Sequence, residues 1–116
     1  MFTGIIEKIC SVKSVSRSGS SMTLTIDLGE LADDSKIGDS IAINGVCLTI
    51  AGLEQGLAKF ELSAETLAKS TMVNTQPSSQ VNVERAMKAT DRFGGHFVLG
   101  HIDGTAKIKT IDRRGE

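Results

Sequence analysis

The chain predicts an all-β domain, a small barrel or sandwich. Apolar and polar residues alternate at a period of two through most of its length, the mark of half-buried strands. Turn-forming residues recur between these short runs, and helical periodicity is confined to brief pieces. So many strands in 116 residues leave a sheet with two exposed edges unless it closes on itself, and a barrel removes the edges.

The opening run from Phe2 to Val15 is long and less regular, which predicts a strand with a bulge or bend. Met22, Leu24, Ile26 and Leu28 take alternate positions in a second strand, and Glu30 to Asp34 suits a helical turn. Asn44-Gly45 joins two β-rich runs between Ser40 and Ile50, which favours a type I′ turn because both central residues must accept positive φ. Such a turn sets Ile43 against Val46, Ala42 against Cys47, Ile41 against Leu48 and Ser40 against Thr49. Ala58, Phe60 and Leu62 form a further strand, and Ser63 is placed to cap a short helix through Lys69, with Glu65 near its positive end. Ser70 to Ser79, which holds the single proline, reads as a loop, and Val81 and Val83 as the last strand before Gly94-Gly95 turns the chain.

The predicted hairpin has two unlike faces. Ile41, Ile43, Val46, Leu48 and Ile50 share an apolar face that belongs against a core. The other face carries Ser40, Ala42, Cys47 and Thr49, small side chains without a charge, which form either an ordinary solvent face or a shelf on which a flat ligand could rest.

Composition excludes several functions. Thirteen basic and fourteen acidic residues leave a net charge of −1, with no basic run, no Trp or Tyr and four Phe, which is poor material for a nucleic-acid groove. Neither a spanning apolar run nor a signal-like leader is present, so no membrane contact and a cytoplasmic location are expected. Cys10 and Cys47 are too few for a disulfide framework and read as reduced thiols.

Gly100 to Ile111 slides over Gly4 to Val15, matching Gly4 with Gly100, Ile6 with Ile102 and Lys13 with Lys109. Glu7 pairs with Asp103, Val12 with Ile108 and Val15 with Ile111. The expected organisation is therefore a module over residues 1–96 and, over 97–116, the start of a second, truncated repeat.

His96 and His101 are the only histidines; their odd separation places them on opposite faces of an extended segment, which makes them poor joint metal ligands, and no metal site is expected. Either imidazole could carry a proton near neutral pH. Gly94, Gly95 and Gly100 lack the spacing and following helix of a phosphate loop. Cys47 reads as a small buried residue or, on the shelf, as a nucleophile or acid toward a bound ring. Glu84-Arg85 suggests a local, solvated ion pair at a strand end, and Glu65-Thr66 a helix start with amides free for an oxygen-rich ligand.

Met1-Phe-Thr-Gly-Ile5, Asn44-Gly-Val-Cys-Leu-Thr49, Glu65-Thr-Leu67, Val81-Asn-Val-Glu-Arg-Ala86, Gly94-Gly-His96 and Gly100-His-Ile102 occur in the order and spacing of the N-terminal half of riboflavin synthase, which the chain resembles over essentially its whole length. The resemblance implies six-stranded Greek-key barrels with one or two short helices, paired within each subunit of a homotrimer. It also implies dismutation of two 6,7-dimethyl-8-ribityllumazine molecules to riboflavin and a ribitylaminopyrimidine, without metal or redox cofactor. Carried over by motif, Gly4, Ile5, Ile6, Cys47, Leu48, Thr49, Glu61, Leu62, Ser63, Ala64, Glu65 and Thr66 hold the ligand, and Phe2 packs on it. Ser40 and Cys47 are implied as sources of a nucleophile and His101 as proton carrier. Gly100, His101 and Ile102 serve the second barrel's site. A non-catalytic carrier of the same chromophores is the alternative, and a fragment of this length is expected to bind while catalysing weakly or not at all, with a homodimer in place of the trimer.

Overall fold

In the computed structural model, which describes residues 1–115, six strands close into one barrel. They are β1 (Lys8–Ser18), β2 (Ser21–Asp27), β3 (Ser40–Ile43), β4 (Val46–Glu54), β5 (Leu57–Leu62) and β6 (Gln80–Arg85). Around the barrel their order is β1-β2-β5-β4-β3-β6, with β6 pairing back onto β1, and every neighbouring pair is antiparallel. The chain thus leaves the β1–β2 hairpin, crosses the barrel end and returns beside β2 with β5, the Greek-key path.

The alternation seen in the sequence becomes the inside and outside of this barrel. Met22, Leu24 and Ile26 of β2 and Ala58, Phe60 and Leu62 of β5 all point inward, each at most 1% exposed. Opposite them lie Ile41, Ile43, Val46, Leu48 and Ile50 of β3 and β4, joined by Val81 and Val83 of β6 in one core cluster. The expected irregularity in the first strand is a register shift between Val12 and Ser14. Its consequence is that Val12 and Val15, three residues apart, both face the core, which an unbroken period of two forbids.

The β3–β4 register is that set by an Asn-Gly turn: Ile43 opposite Val46, Ala42 opposite Cys47, Ile41 opposite Leu48 and Ser40 opposite Thr49. Asn44 and Gly45 both have positive φ, 49° and 81°. β4 runs on to Glu54, past a second irregularity between Ile50 and Gly52, and a second turn with positive φ at Gln55 and Gly56 leads into β5. That turn carries a weaker local signal, because Gln seldom takes positive φ. The helical turn anticipated after β2 is a 3-10 turn at Gly29–Ala32 that buries Leu31. The helix α1 (Ala64–Lys69) is capped by Ser63, and the segment read as a loop holds a further 3-10 turn, Thr71–Asn74, because Met72 is drawn into the core.

After β6 the chain turns back over the outer face of the barrel. Phe2 and Val98 exchange backbone hydrogen bonds of 2.8 and 3.1 Å, and the His96 amide donates to the Thr3 carbonyl at 2.9 Å. Residues 96–100 thus form a strap beside the N-terminal segment. Beyond Ile102 the described residues are exposed and belong to no strand, and Glu116, the end of the anticipated second repeat, lies outside them.

Candidate functional site

The strap divides the shelf foreseen on the hairpin. Cys47, Ala42 and Glu84 lie side by side across β4, β3 and β6, because each is the register partner of the next. The strap crosses this row at Cys47, whose amide donates to the Gly100 carbonyl at 2.9 Å. Such closeness requires glycine, since a Cβ on Gly100 would stand 2.8 Å from the Cys47 nitrogen. At Glu84 the N-terminal segment arrives instead, its Thr3 and Gly4 amides donating to the carboxylate. Ala42 between them is buried, and so is Phe2, yet neither belongs to the cluster inside the barrel; they fill a thin second layer outside it. Ser40 and Cys47 consequently open into different hollows.

Cys47 lines a hollow of about 350 Å³ together with Val46, Glu65, Thr66, Gly100, His101 and Ile102. Lys69, Ser70 and Asp103 complete it, and its size lies within the range of small-molecule sites. Ile102 gives it an apolar side chain, while that of Val46 points into the core. The lining also carries groups that bond hydroxyls: Glu65, Thr66, Lys69, Ser70 and Asp103. Glu65 accepts from the Lys69 ammonium at 2.9 Å, which lowers the carboxyl's proton affinity and raises that of the amine. The Ser70 hydroxyl donates to the Thr66 carbonyl at 2.6 Å and is held in place by it.

Of the residues carried over by motif, Cys47, Glu65, Thr66, Gly100, His101 and Ile102 come together in this hollow from three separate parts of the chain. The others do not join them. Leu48 and Leu62 point into the core, so their side chains cannot meet a ligand on the outer face. Thr49 and Glu61 are exposed but line neither hollow, and the same holds for Ala64. The Ser63 hydroxyl accepts from the Thr66 amide at 3.2 Å, so the cap uses one of the amides expected to be free for ligand. Gly4 is tied to Glu84 rather than to a hollow, Ile6 is exposed, and Phe2, expected to pack on the ligand, is 0% exposed.

Val46, Lys69, Ser70 and Asp103 were not anticipated. Lys69 was legible as the i, i+4 partner of Glu65, and Asp103 as the repeat's counterpart of Glu7. Ser70 gave no signal.

Ser40 and Ile5 line the larger hollow, of about 650 Å³. Most of its charges are paired: Arg85 grips Glu7 at 2.7 Å and Asp34 at 2.6 Å, Lys88 joins Asp34 at 3.1 Å, and Lys36 holds Asp39 at 2.6 Å. Hydrogen bonds from Arg85 lower the proton affinity of Glu7, and those from Lys88 and Arg85 that of Asp34. A neutral ring gains little there. The pairing also corrects the expected Glu84–Arg85 ion pair, since adjacent strand residues face opposite ways: Glu84 lies buried on the outer face beside Ala42, whereas Arg85, register partner of the inward-facing Ile41, bonds Glu7 and Asp34. Among the described residues no group of three or more His, Cys, Asp or Glu is placed to hold a metal ion, and no helix is long and apolar enough to cross a membrane.

The chain is 43% identical to the riboflavin synthases of Bacillus amyloliquefaciens and Bacillus subtilis (strain 168), in each case over 98% of its own length and 53% of theirs. It is 39% identical to the riboflavin synthase of Saccharomyces cerevisiae, over 51% of that protein. The chain therefore spans about half the length of these relatives. Among solved structures, LumP complexed with riboflavin shares its fold with a TM-score of 0.81 at 20% identity, over 90% of this chain and 56% of that one. LumP complexed with 6,7-dimethyl-8-(1′-D-ribityl) lumazine gives the same TM-score over 58% of its length. Residues 3–86 match the family model described as lumazine binding domain, and the chain belongs to that family.

Proposed function

We propose that this chain is the N-terminal lumazine-binding module of a riboflavin synthase, and that the hollow at Cys47 receives 6,7-dimethyl-8-ribityllumazine and riboflavin. The observation that carries this is the convergence of Cys47, Glu65, Thr66, Gly100, His101 and Ile102 on one hollow. The ring lies against Ile102, and the ribityl hydroxyls meet Thr66, the Glu65–Lys69 pair and Asp103.

In the complete enzyme two lumazines react face to face, one transferring a four-carbon unit to the other, to give riboflavin and 5-amino-6-ribitylaminouracil. Holding the two rings together supplies most of the acceleration, a proximity effect. Cys47 is the nucleophile or acid nearest the ring, His101 the proton carrier, and Ser40 acts from the neighbouring hollow only if the ligand extends past the strap. Residues 97–116 belong to a second barrel, which fits the shared positive φ of Gly4 (85°) and Gly100 (78°). It fits as well the match of the inward-facing Val12 and Val15 with Ile108 and Ile111, both over 70% exposed. The working assembly is a homotrimer of two-barrel subunits in the cytoplasm, and this chain alone pairs as a homodimer with weak or no turnover.

The test is a titration with riboflavin, followed by its fluorescence, beside an assay of riboflavin formation from lumazine as sole substrate. Binding without turnover is expected from this chain, with turnover once it is extended through a second barrel. No fluorescence change at high micromolar protein refutes the module. The likeness in fold to LumP keeps a non-catalytic chromophore carrier as the second reading, which binding without turnover in the extended protein would establish. Sedimentation of a strict monomer would refute the pairing.

A further inference from the structure

Glu84 is the one charged side chain that is buried among the described residues, 5% exposed. A buried carboxylate is tolerated only when donors replace its water. Here three do: the Thr3 amide and Thr3 hydroxyl each donate to Oε1 at 2.7 Å, and the Gly4 amide donates to Oε2 at 3.2 Å. None of these groups lines the hollow at Cys47. From this clamp, however, a continuous series of backbone bonds leads there. The Thr3 carbonyl accepts from His96, Phe2 pairs with Val98, and the Gly100 carbonyl accepts from Cys47. Close approach reinforces both ends of the strap, since a Cβ on Gly95 would stand 2.3 Å from the Thr3 oxygen and one on Gly100 2.8 Å from the Cys47 nitrogen. His101, Ile102 and Asp103, one wall of the hollow, follow directly on the strap.

We infer that Glu84 is a positioning residue: through Thr3 and Gly4 it fixes the strap and thereby sets the wall formed by His101, Ile102 and Asp103, without touching the ligand. The effect on ligand rests on the proposed lumazine site; the mechanical link from Glu84 to the strap does not. A neutral amide at position 84 presents an N–H₂ group either to the Gly4 donor or to the Thr3 pair, so one set of bonds is lost in either orientation.

The experiment compares the full chain with E84Q, E84D and T3V, measuring riboflavin affinity and amide hydrogen exchange residue by residue. In E84Q, exchange at His96, Val98 and Cys47 is expected to accelerate at least about tenfold while amides of β2 and β5 keep their protection, and riboflavin affinity falls roughly tenfold, the scale of one lost charge-assisted bond. E84D, which keeps the charge, recovers part of both effects. A uniform loss of protection over the barrel, or unchanged exchange at the three strap amides, overturns the inference. Should E84Q fail to fold, T3V decides it, since it leaves the carboxylate in place, removes the hydroxyl that donates to Glu84 and accepts from the Ile5 amide, and must still loosen the strap selectively. If wild type fails to bind riboflavin, the ligand assignment falls, while exchange in E84Q still decides the link from Glu84 to the strap.

Discussion

Replacing Gly100 with Ala tests whether the strap organises the hollow at Cys47. Gly100 has φ +78°, where an L residue is strained by about 1–2 kcal/mol. The added methyl would lie 2.8 Å from the Cys47 nitrogen, 2.9 Å from its Cβ and 3.1 Å from the Gly45 carbonyl oxygen. Two of these are backbone atoms of a hairpin whose other face is packed in the core, so the strap must move instead. Its displacement breaks the 2.9 Å bond between the Cys47 amide and the Gly100 carbonyl, worth about 1 kcal/mol. Together the terms come to roughly 2–3 kcal/mol, which weakens a ligand that needs the docked strap by about 30- to 150-fold. Riboflavin titration by fluorescence measures this, and exchange at the Cys47 amide shows whether the strap has lifted. Gly104→Ala is the control, because nothing lies within 4 Å of a Cβ there. Wild-type affinity in G100A, with the Cys47 amide still protected, would refute the role given to the strap.

Other consequences can be measured directly. Hydrogen bonds from Arg85 hold the Glu7 carboxyl below its ordinary value of 4.5, so its contribution to stability is present above that pH and is lost as pH falls through the depressed value. E7Q should therefore unfold at lower urea than wild type at pH 7, by no more than about 1 kcal/mol for so exposed a pair, and the two should converge in acid; a gap that widens in acid contradicts the pairing. Asn44 combines φ +49° with a side-chain oxygen that accepts from the Asn82 amide at 2.8 Å. N44A should lose about 1–3 kcal/mol in urea denaturation and N44G less, and equal losses would mean that strain in the turn is negligible. Cys10 is buried, which raises its thiol's proton affinity, while Cys47 is half-exposed in the hollow. Iodoacetamide is expected to modify Cys47 first, and saturating riboflavin to slow it; mass spectrometry showing Cys10 modified at the same rate, or no protection, counts against the site.

Strand pattern and turn chemistry are local, and so the inward residues of β2, β3, β5 and β6 and the register of the Asn44-Gly45 hairpin could be read in advance. The bulge in β1 was legible only as an irregularity; its placement between Val12 and Ser14 is set by the register of pairing with β2. In the site, Cys47, Glu65, Thr66 and the Gly100–Ile102 group were named from their motifs, whereas their company with Lys69, Ser70 and Asp103 was not. Motifs report residue identity, and the contacts among them depend on where the strap crosses the sheet.

Alternation along the chain determined which side chains face the core, because a strand's two faces are set by sequence parity alone and hydrophobic burial selects one of them. What covers the other face is a long-range matter. Only the tertiary structure decided that Ser40 and Cys47 serve separate hollows, that Phe2 is sealed away, and that Glu84 bonds Thr3 and Gly4 rather than Arg85. Each follows from the two ends of the chain meeting across the hairpin: Thr3 and Gly4, some eighty residues from Glu84, supply donors in place of the water a buried carboxylate would lose, and the strap pairs with the N-terminal segment and crosses to Cys47.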